Sequence, residues 1–244
     1  MLTLQEKDYV RMNDNQAVEG AVKIVVGPGT GLGQGLLCKG GDGHYEVFPS
    51  EGGHVDFTVR TREDFELLEY ARDFIEHSDN EENLRSKGPV TRVSIERLCA
   101  GPALPLIYDF MSKKNPQLER TLETKKGIHF NKVSSSHVVE AALKEDGDPL
   151  CKLAVRKFAE IFGVEVGNTA LKTLPYGGIY LTGGVTAGIQ EFLLHDETFL
   201  EAFYAKGRQA NKVRKMPIFI VKPELQLGLL GAEECARRVL TARQ

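Results

Sequence analysis

Ala21-Val22-Lys23-Ile24-Val25-Val26 runs directly into Gly27-Pro28-Gly29-Thr30-Gly31-Leu32-Gly33. The first stretch is short, apolar and β-branched, which reads as a buried strand. The second places a glycine at every other position. Glycine lets backbone N–H groups approach an anion closely and allows positive φ, and Thr30 adds a hydroxyl donor, so the turn suits a phosphate. An ordinary tight hairpin accounts for the same glycines. A Walker loop is excluded, because no Lys-Ser/Thr follows. A dinucleotide fingerprint is excluded too, because a strand rather than a helix comes next. Gly35-Leu36-Leu37-Cys38 and Tyr45-Glu46-Val47-Phe48 flank Gly40-Gly41-Asp42-Gly43, a hairpin signal. The region is therefore a β-meander, with Glu51 just past its last strand.

Downstream, helices alternate with strands. Thr61 caps a helix with Asp64 three residues on, and Phe65, Leu68, Arg72 and Ile75 fall on one face of it. Ser78 to Lys87 reads as a polar loop and Val90-Thr91-Arg92-Val93-Ser94-Ile95 as a strand. Pro102 suits the first turn of a helix to about Lys113. Ser136 starts another helix, and Asp148-Pro149 starts a long one with Leu150, Leu153, Phe158, Ile161 and Phe162 on its buried side. Gly163 and Gly167 inside it cost roughly 1 kcal/mol each relative to alanine, which a close helix contact explains. Gly178-Ile179-Tyr180-Leu181 and Pro217-Ile218-Phe219-Ile220-Val221 are strands, and Gln226 to Leu240 is the closing helix. Such alternation defines an α/β protein.

The chain has 244 residues and a formal net charge of −3, enough length for one large or two small domains. The charge gives no basic footprint for nucleic acid or an anionic membrane. Cys38, Cys99, Cys151 and Cys235 are far apart, without the spacing of a zinc or redox motif. They read as reduced thiols, and the polar start is no signal peptide. No apolar run approaches a membrane helix. The expected setting is the cytoplasm.

Three further segments carry chemistry. Ser50-Glu51-Gly52-Gly53-His54 is a polar loop, and Glu96 opens Glu96-Arg97-Leu98-Cys99-Ala100-Gly101-Pro102-Ala103-Leu104 between a strand and a helix. A carboxylate accepts two hydroxyl hydrogen bonds and a neutral imidazole accepts or donates one, which is what a sugar needs. A satisfied loop histidine accounts for His54 equally. A metal pair of Glu51 and His54 lacks a third ligand at helical spacing, so no metal site is expected. Leu181-Thr182-Gly183-Gly184-Val185 switches strand to helix through two glycines and could let an adenosine lie on the backbone. A plain strand–turn–helix accounts for it as well.

Taken together with Gly228-Leu229-Leu230-Gly231-Ala232 at the start of the closing helix, the order and spacing of these segments resemble the C-terminal portion of the glucokinase family, the bacterial-type ATP-dependent hexose kinases. The resemblance covers nearly the whole chain, from about Leu2 to Leu240. It implies an actin-like ATPase (ribonuclease H-like) fold of two α/β domains around a cleft. It implies phosphoryl transfer from ATP, with Mg2+, to the 6-hydroxyl of glucose, the first step of glycolysis. Carried over residue by residue, Glu51, His54 and Glu96 contact the hexose hydroxyls, Gly29 and Thr30 meet the ATP phosphates, and Gly183 and Gly184 border the adenosine. Cys99 and Ala100 stand where many relatives carry Ser or another small residue. The zinc-binding cysteine cluster of the related repressor–kinase family is missing.

Residues 1–20 do not match the family's Asp-Gly-Gly-Thr first phosphate loop or the Asn-Asp pair that holds its catalytic base. Asp8 and Asp14 lie in the right general region without the flanking motif. The expectation is a large domain without the small N-terminal one: 1–20 a remnant of the interdomain segment, 21–227 the large domain, 228–244 the helix that in the family returns to the small domain. No catalytic residue is expected on the chain. On that expectation turnover is at least about 10³-fold below that of a complete relative, since a positioned general base contributes roughly 10²–10⁴-fold. The alternatives are a non-catalytic sugar- or nucleotide-binding remnant and a partner of a full-length kinase. Leu229, Ala232, Ala236, Val239 and Leu240 form a helical stripe, expected to be exposed or covered by a second copy in a homodimer.

Overall fold

The computed structural model describes residues 4–41, 43–77, 90–122, 133–225 and 227–241. Six strands form one sheet in the order β1-β6-β5-β2-β3-β4: β1 (Tyr9–Arg11), β2 (Lys23–Pro28), β3 (Leu32–Lys39), β4 (Tyr45–Ser50), β5 (Gly178–Leu181) and β6 (Ile218–Val221). The expected meander is β2-β3-β4, paired antiparallel with Gly27 opposite Gly33 and Gln34 opposite Ser50. The parallel part is β2-β5-β6, so the carboxyl ends of β2 and β5 point the same way and open one crevice, where open α/β sheets bind ligands. β1 caps the far edge antiparallel to β6. It lies within residues 1–20, in which no strand is expected from the sequence.

Helix α1 (Arg62–His77) follows the meander, then α2 (Ala103–Lys114), α3 (Ser135–Leu143) and α4 (Pro149–Thr173). Short helices α5 (Gly184–Gly188), α6 (Gln190–His195), α7 (Thr198–Tyr204) and α8 (Ala210–Val213) connect β5 to β6, and α9 (Leu227–Thr241) closes the chain. Helix α4 is the axis of the core and packs against α7, α2 and α3. Asp148 caps it, its Oδ1 accepting from Cys151 N at 2.7 Å, and Pro149 occupies its first turn. Phe158 and Phe162 are fully buried, each contributing roughly 1.5–3 kcal/mol relative to exposure. The two glycines inside α4 sit where helix α7 crosses. A Cβ on Gly163 would lie 2.2 Å from the carbonyl oxygen of Phe199, and one on Gly167 2.7 Å from that of Phe203. The close approach outweighs the propensity cost.

Two sequence expectations need correction. Val90–Ile95 is not a strand. It makes only one bridge, from the extended Ser94 to Asp56, and then tightens into a 3-10 turn over Ile95–Leu98. The face of α1 on Phe65, Leu68, Arg72 and Ile75 is not the one most deeply buried. Asp64, Leu67 and Ala71 are buried and Phe65 is exposed, because a buried carboxylate leads the inward face. The Ser78–Lys87 loop lies outside the described residues.

That carboxylate is held twice. Thr61 Oγ1 accepts from Asp64 N at 3.0 Å while Asp64 Oδ2 accepts from Thr61 N at 2.9 Å, the expected capping box. Asp64 Oδ1 meets Lys157 Nζ of α4 at 2.6 Å, and Glu160 and Glu63 complete the ammonium's shell at 2.9 and 3.3 Å. Burial pushes the Asp64 carboxyl up, but the Lys157 ammonium and the backbone N–H of Arg60 outweigh it and hold it below the usual range. Burial pushes the Lys157 ammonium down, but its carboxylate partners outweigh it and hold it above its usual value.

Among the described residues no helix is long and apolar enough to cross a membrane, and the four cysteines are free. On α9, Leu229, Val239 and Leu240 are 66, 53 and 65% exposed, so the stripe is uncovered in the single chain. Arg238 ties α9 to the sheet through Tyr45 O at 2.9 Å.

Removing one member of a buried pair costs about 3–5 kcal/mol. Asp64→Asn should therefore lower the urea midpoint strongly at neutral pH. A depressed carboxyl stabilises above its unfolded value and loses that contribution as pH falls through its folded value. The gap between Asp64→Asn and the parent chain should close in acid. A gap that stays constant down to pH 2 would show that Asp64 does not act through its charge.

Candidate functional site

The glycine turn is fixed by backbone bonds. Gly29 N donates to Gly31 O at 2.7 Å, and Gly29 O accepts from Gly101 N, just ahead of α2, at 2.7 Å. On the other side Thr182 N donates to Val26 O at 3.0 Å. Gly183 has φ +92, and a Cβ there would lie 2.4 Å from Pro28 O, so this position needs glycine both for its conformation and for its contact. Thr30 stands exposed at the tip of the turn. Gly184, one residue on, faces open space at the start of α5.

The carboxylate of Glu96 is set against the same turn. Its Oε2 accepts from Leu32 N at 2.9 Å. A Cβ on Gly31 would lie 2.5 Å from that oxygen. Its Oε1 stands 3.8 Å from His54 Nδ1, and His54 Nε2 stands 3.6 Å from Glu51 Oε2. Glu51, His54 and Glu96 thus gather around one imidazole, closer than the roughly 12 Å that a hexose with two hydrogen bonds spans. Neither contact with His54 is short enough for a strong hydrogen bond, so Glu51, the imidazole and Glu96 Oε1 keep capacity for hydroxyls.

The loop that carries Glu51 and His54 is braced from the segment that precedes Glu96. Ile95 N donates to Val55 O at 2.8 Å and Phe57 N to Val93 O at 3.0 Å. Arg92 donates to Asp56 Oδ1 at 2.5 Å and to His54 O. The brace was not read from the sequence. The signal was Arg92 inside a β-branched run, charged where a strand would bury it.

A cleft of about 1240 Å³ joins these parts. Gly29, Thr30, Glu96 and Gly184 line it, whereas Glu51, His54 and Gly183 do not, His54 standing 3.8 Å from the Glu96 carboxylate. It exceeds the roughly 300–1,000 Å³ of a single small-ligand site, which suits two ligands side by side. Arg97 and Ser134 to Ser136 also line it. Sequence reading started a helix at Ser136 but missed the serine run as a wall; Ser134 caps the helix, accepting from His137 N, and Ser135 and Ser136 form its first turn. Among the described residues no group of three or more His, Cys, Asp or Glu forms a metal cluster.

A family model described as Glucokinase matches residues 1–239. The chain belongs to the glucokinase family. It is similar to the glucokinase of Nostoc sp., 35% identical over 244 residues, covering 97% of this chain and 67% of that one. The glucokinase of Nostoc punctiforme is 37% identical over 88% of this chain and 61% of its own. The chain therefore spans about two thirds of the length of the curated relatives it matches. Among solved structures, glucokinase from an Antarctic psychrotroph superposes with a TM-score of 0.75 at 26% identity, over 96% of this chain and 64% of that one. Glucokinase from Balamuthia mandrillaris in complex with glucose gives 0.75 at 18% identity, over 95% and 59%. A ROK family glucokinase from Streptomyces griseus in complex with glucose and AMPPNP gives 0.51 at 18%, over 84% and 57%. These two likenesses show the fold alone. The fold is the actin-like ATPase fold of the glucokinases and ROK kinases.

The backbone of the cleft generates a paired expectation. Gly183→Ala meets both positive-φ strain and the Pro28 carbonyl, and should lower stability by about 1–3 kcal/mol. Gly184→Ala enters open space and should change it by less than about 0.5 kcal/mol. Equal denaturation midpoints for the two variants would overturn this account of the strand-to-helix switch.

Proposed function

We propose that this chain binds glucose and ATP in the shared cleft and is the substrate-binding body of a glucokinase, which transfers the γ-phosphoryl of ATP to the 6-hydroxyl of glucose. The observation that carries the reading is the meeting of Glu51, His54 and Glu96 beside the glycine turn, with Glu96 lining the same cavity as Gly29, Thr30 and Gly184. Family membership and the glucose and AMPPNP complexes of structural neighbours agree with it.

In this reading Glu96, Glu51 and His54 orient the sugar through its hydroxyls. Glu96 is pre-organised, since its Leu32 N bond fixes one oxygen and leaves the other for the ligand. Gly29 and Thr30 face the phosphates, and Gly183 and Gly184 border the adenosine. The open space at Gly184 and the exposed Thr30 hydroxyl fit a nucleotide that approaches the backbone closely. Mg2+, bound largely through substrate phosphates, supplies charge neutralisation at the transferring group. As the bond from the sugar oxygen to phosphorus forms and the bond to ADP breaks, the hydroxyl proton must leave to a base. Asp8 is poorly suited to that role, because its carboxylate accepts from Gln5 N at 2.7 Å in its own turn. We assign the base to none of the described residues. Four free cysteines accord with a reducing, cytoplasmic setting.

Separate calorimetric titrations with glucose and AMPPNP, and a coupled ATP-plus-glucose assay on the chain, test the reading. A hydrogen bond to a charged group contributes about 1.5–3 kcal/mol, so Glu96→Gln should weaken glucose binding about 10–100-fold. AMPPNP binding should hold. Gly31→Ala, whose Cβ displaces the Glu96 carboxylate, should act in the same direction. Glucose affinity unchanged in Glu96→Gln and in His54→Ala would remove the sugar site from this cavity.

A further inference from the structure

Glu165 lies inside α4, 2% exposed, and the proposed reaction does not use it. A buried carboxylate is costly unless it is hydrogen-bonded, so its partners show what it is for. Its Oε1 accepts from Gln34 Nε2 at 2.8 Å. Thr169 Oγ1 stands 3.3 Å from that oxygen and from Gln34 Oε1. Burial raises the Glu165 carboxyl above its usual range, opposed by the Gln34 bond and the positive charges of Lys172 and Lys206.

Gln34 is where β3 meets the loop of Glu51 and His54. It pairs with Ser50 across β3 and β4, and Ser50 Oγ accepts from Gly52 N at 3.0 Å. A Cβ on Gly52 would lie 2.3 Å from Gln34 Oε1. The Gly52 backbone therefore rests directly on the Gln34 amide, and a glutamine that rotated would take away its support. Glu165 fixes that rotation.

We propose that Glu165 is a positioning residue for sugar binding: through Gln34 it holds the Gly52–His54 turn where Glu51 and His54 meet the Glu96 carboxylate. The proposal rests on the reading that this turn takes a hexose. It separates the roles of two buried acids on the helix layer. Asp64 ties α1 to α4, whereas Glu165 ties α4 to a loop of the site.

The test compares Glu165→Leu, Glu165→Gln and Gln34→Leu with the parent full chain. Backbone amide exchange is followed at Gly52, His54 and Val55, whose N–H groups bond to Ser50 Oγ, Glu51 O and Gly52 O. Glucose and AMPPNP are titrated separately by calorimetry. Glu165→Leu and Gln34→Leu should each lose about tenfold or more of the protection at these amides, while amides of β5 and β6 keep theirs. Glucose should bind about tenfold more weakly, with AMPPNP affinity within about twofold. Glu165→Gln should restore both, because its amide oxygen still accepts from Gln34. Unchanged protection at Gly52–Val55, equal loss in β5 and β6, no rescue by Glu165→Gln, or failure of both leucine variants to fold would each overturn the proposal. If the parent chain does not bind glucose, the functional reading fails, and the exchange comparison still decides whether Glu165 positions the turn.

Discussion

The hydrogen bond from Leu32 N to Glu96 Oε2 joins two parts of the chain that are 64 residues apart. Leu32 begins the strand that leaves the glycine turn. Glu96 sits in a 3-10 turn that opens toward α2. One backbone N–H thereby sets the proposed sugar carboxylate at a fixed height above the proposed phosphate turn. A bond from a backbone donor to a carboxylate is charge-assisted and stronger than a neutral one, and the Glu96 side chain is only 27% exposed. The rest of the site arranges itself around that join. Gly101 and Gly183 hold the turn from its two sides, and His54 bridges outward to Glu51.

Helix α4 supplies the rigid mass behind it. It is buried along most of its length and carries two charged side chains, Lys157 and Glu165, whose polar contacts have different destinations. Lys157 reaches Asp64 and fixes the start of α1, the element that follows the sugar loop. Glu165 reaches Gln34 beneath that loop. The glycines opposite α7 let a third layer of helix approach without opening the core. The loop of Glu51 and His54 is thereby flanked on both sides by elements tied to one helix.

The fold was largely legible because its signals were local. The β2–β4 meander, the capping box of Thr61 and Asp64, and the Asp148-Pro149 start of α4 were all written in consecutive residues. The crossing at Gly163 and Gly167 was legible as a cost that demanded a reason. What failed was context. Val90–Ile95 has the composition of a strand, but a strand needs a neighbour along its length and this segment finds one bridge. The apolar stripe of α1 misled because its most buried position is an aspartate, whose partner lies 93 residues away. Glu51, His54 and Glu96 were legible as a set only through the resemblance, since each singly has an ordinary explanation. Gln34 and Glu165 carried no signal, because a glutamate inside a helix looks the same whether it faces water or a glutamine.

The two halves of the cleft are made of different material. On the glycine-turn side the backbone is held by main-chain bonds at Gly29, Gly101 and Thr182 and by the close approach of Gly183 to Pro28 O. On the other side are three side chains and the groups that orient them. Side chains change with a single codon, whereas main-chain geometry changes only if the fold does. The proposed nucleotide half is accordingly slow to diverge, and the proposed sugar half is the one that drift or selection can rewrite. A descendant of this chain that preferred another small polyol would be expected to differ at Glu51, His54 or their supports, with the glycine turn left as it stands.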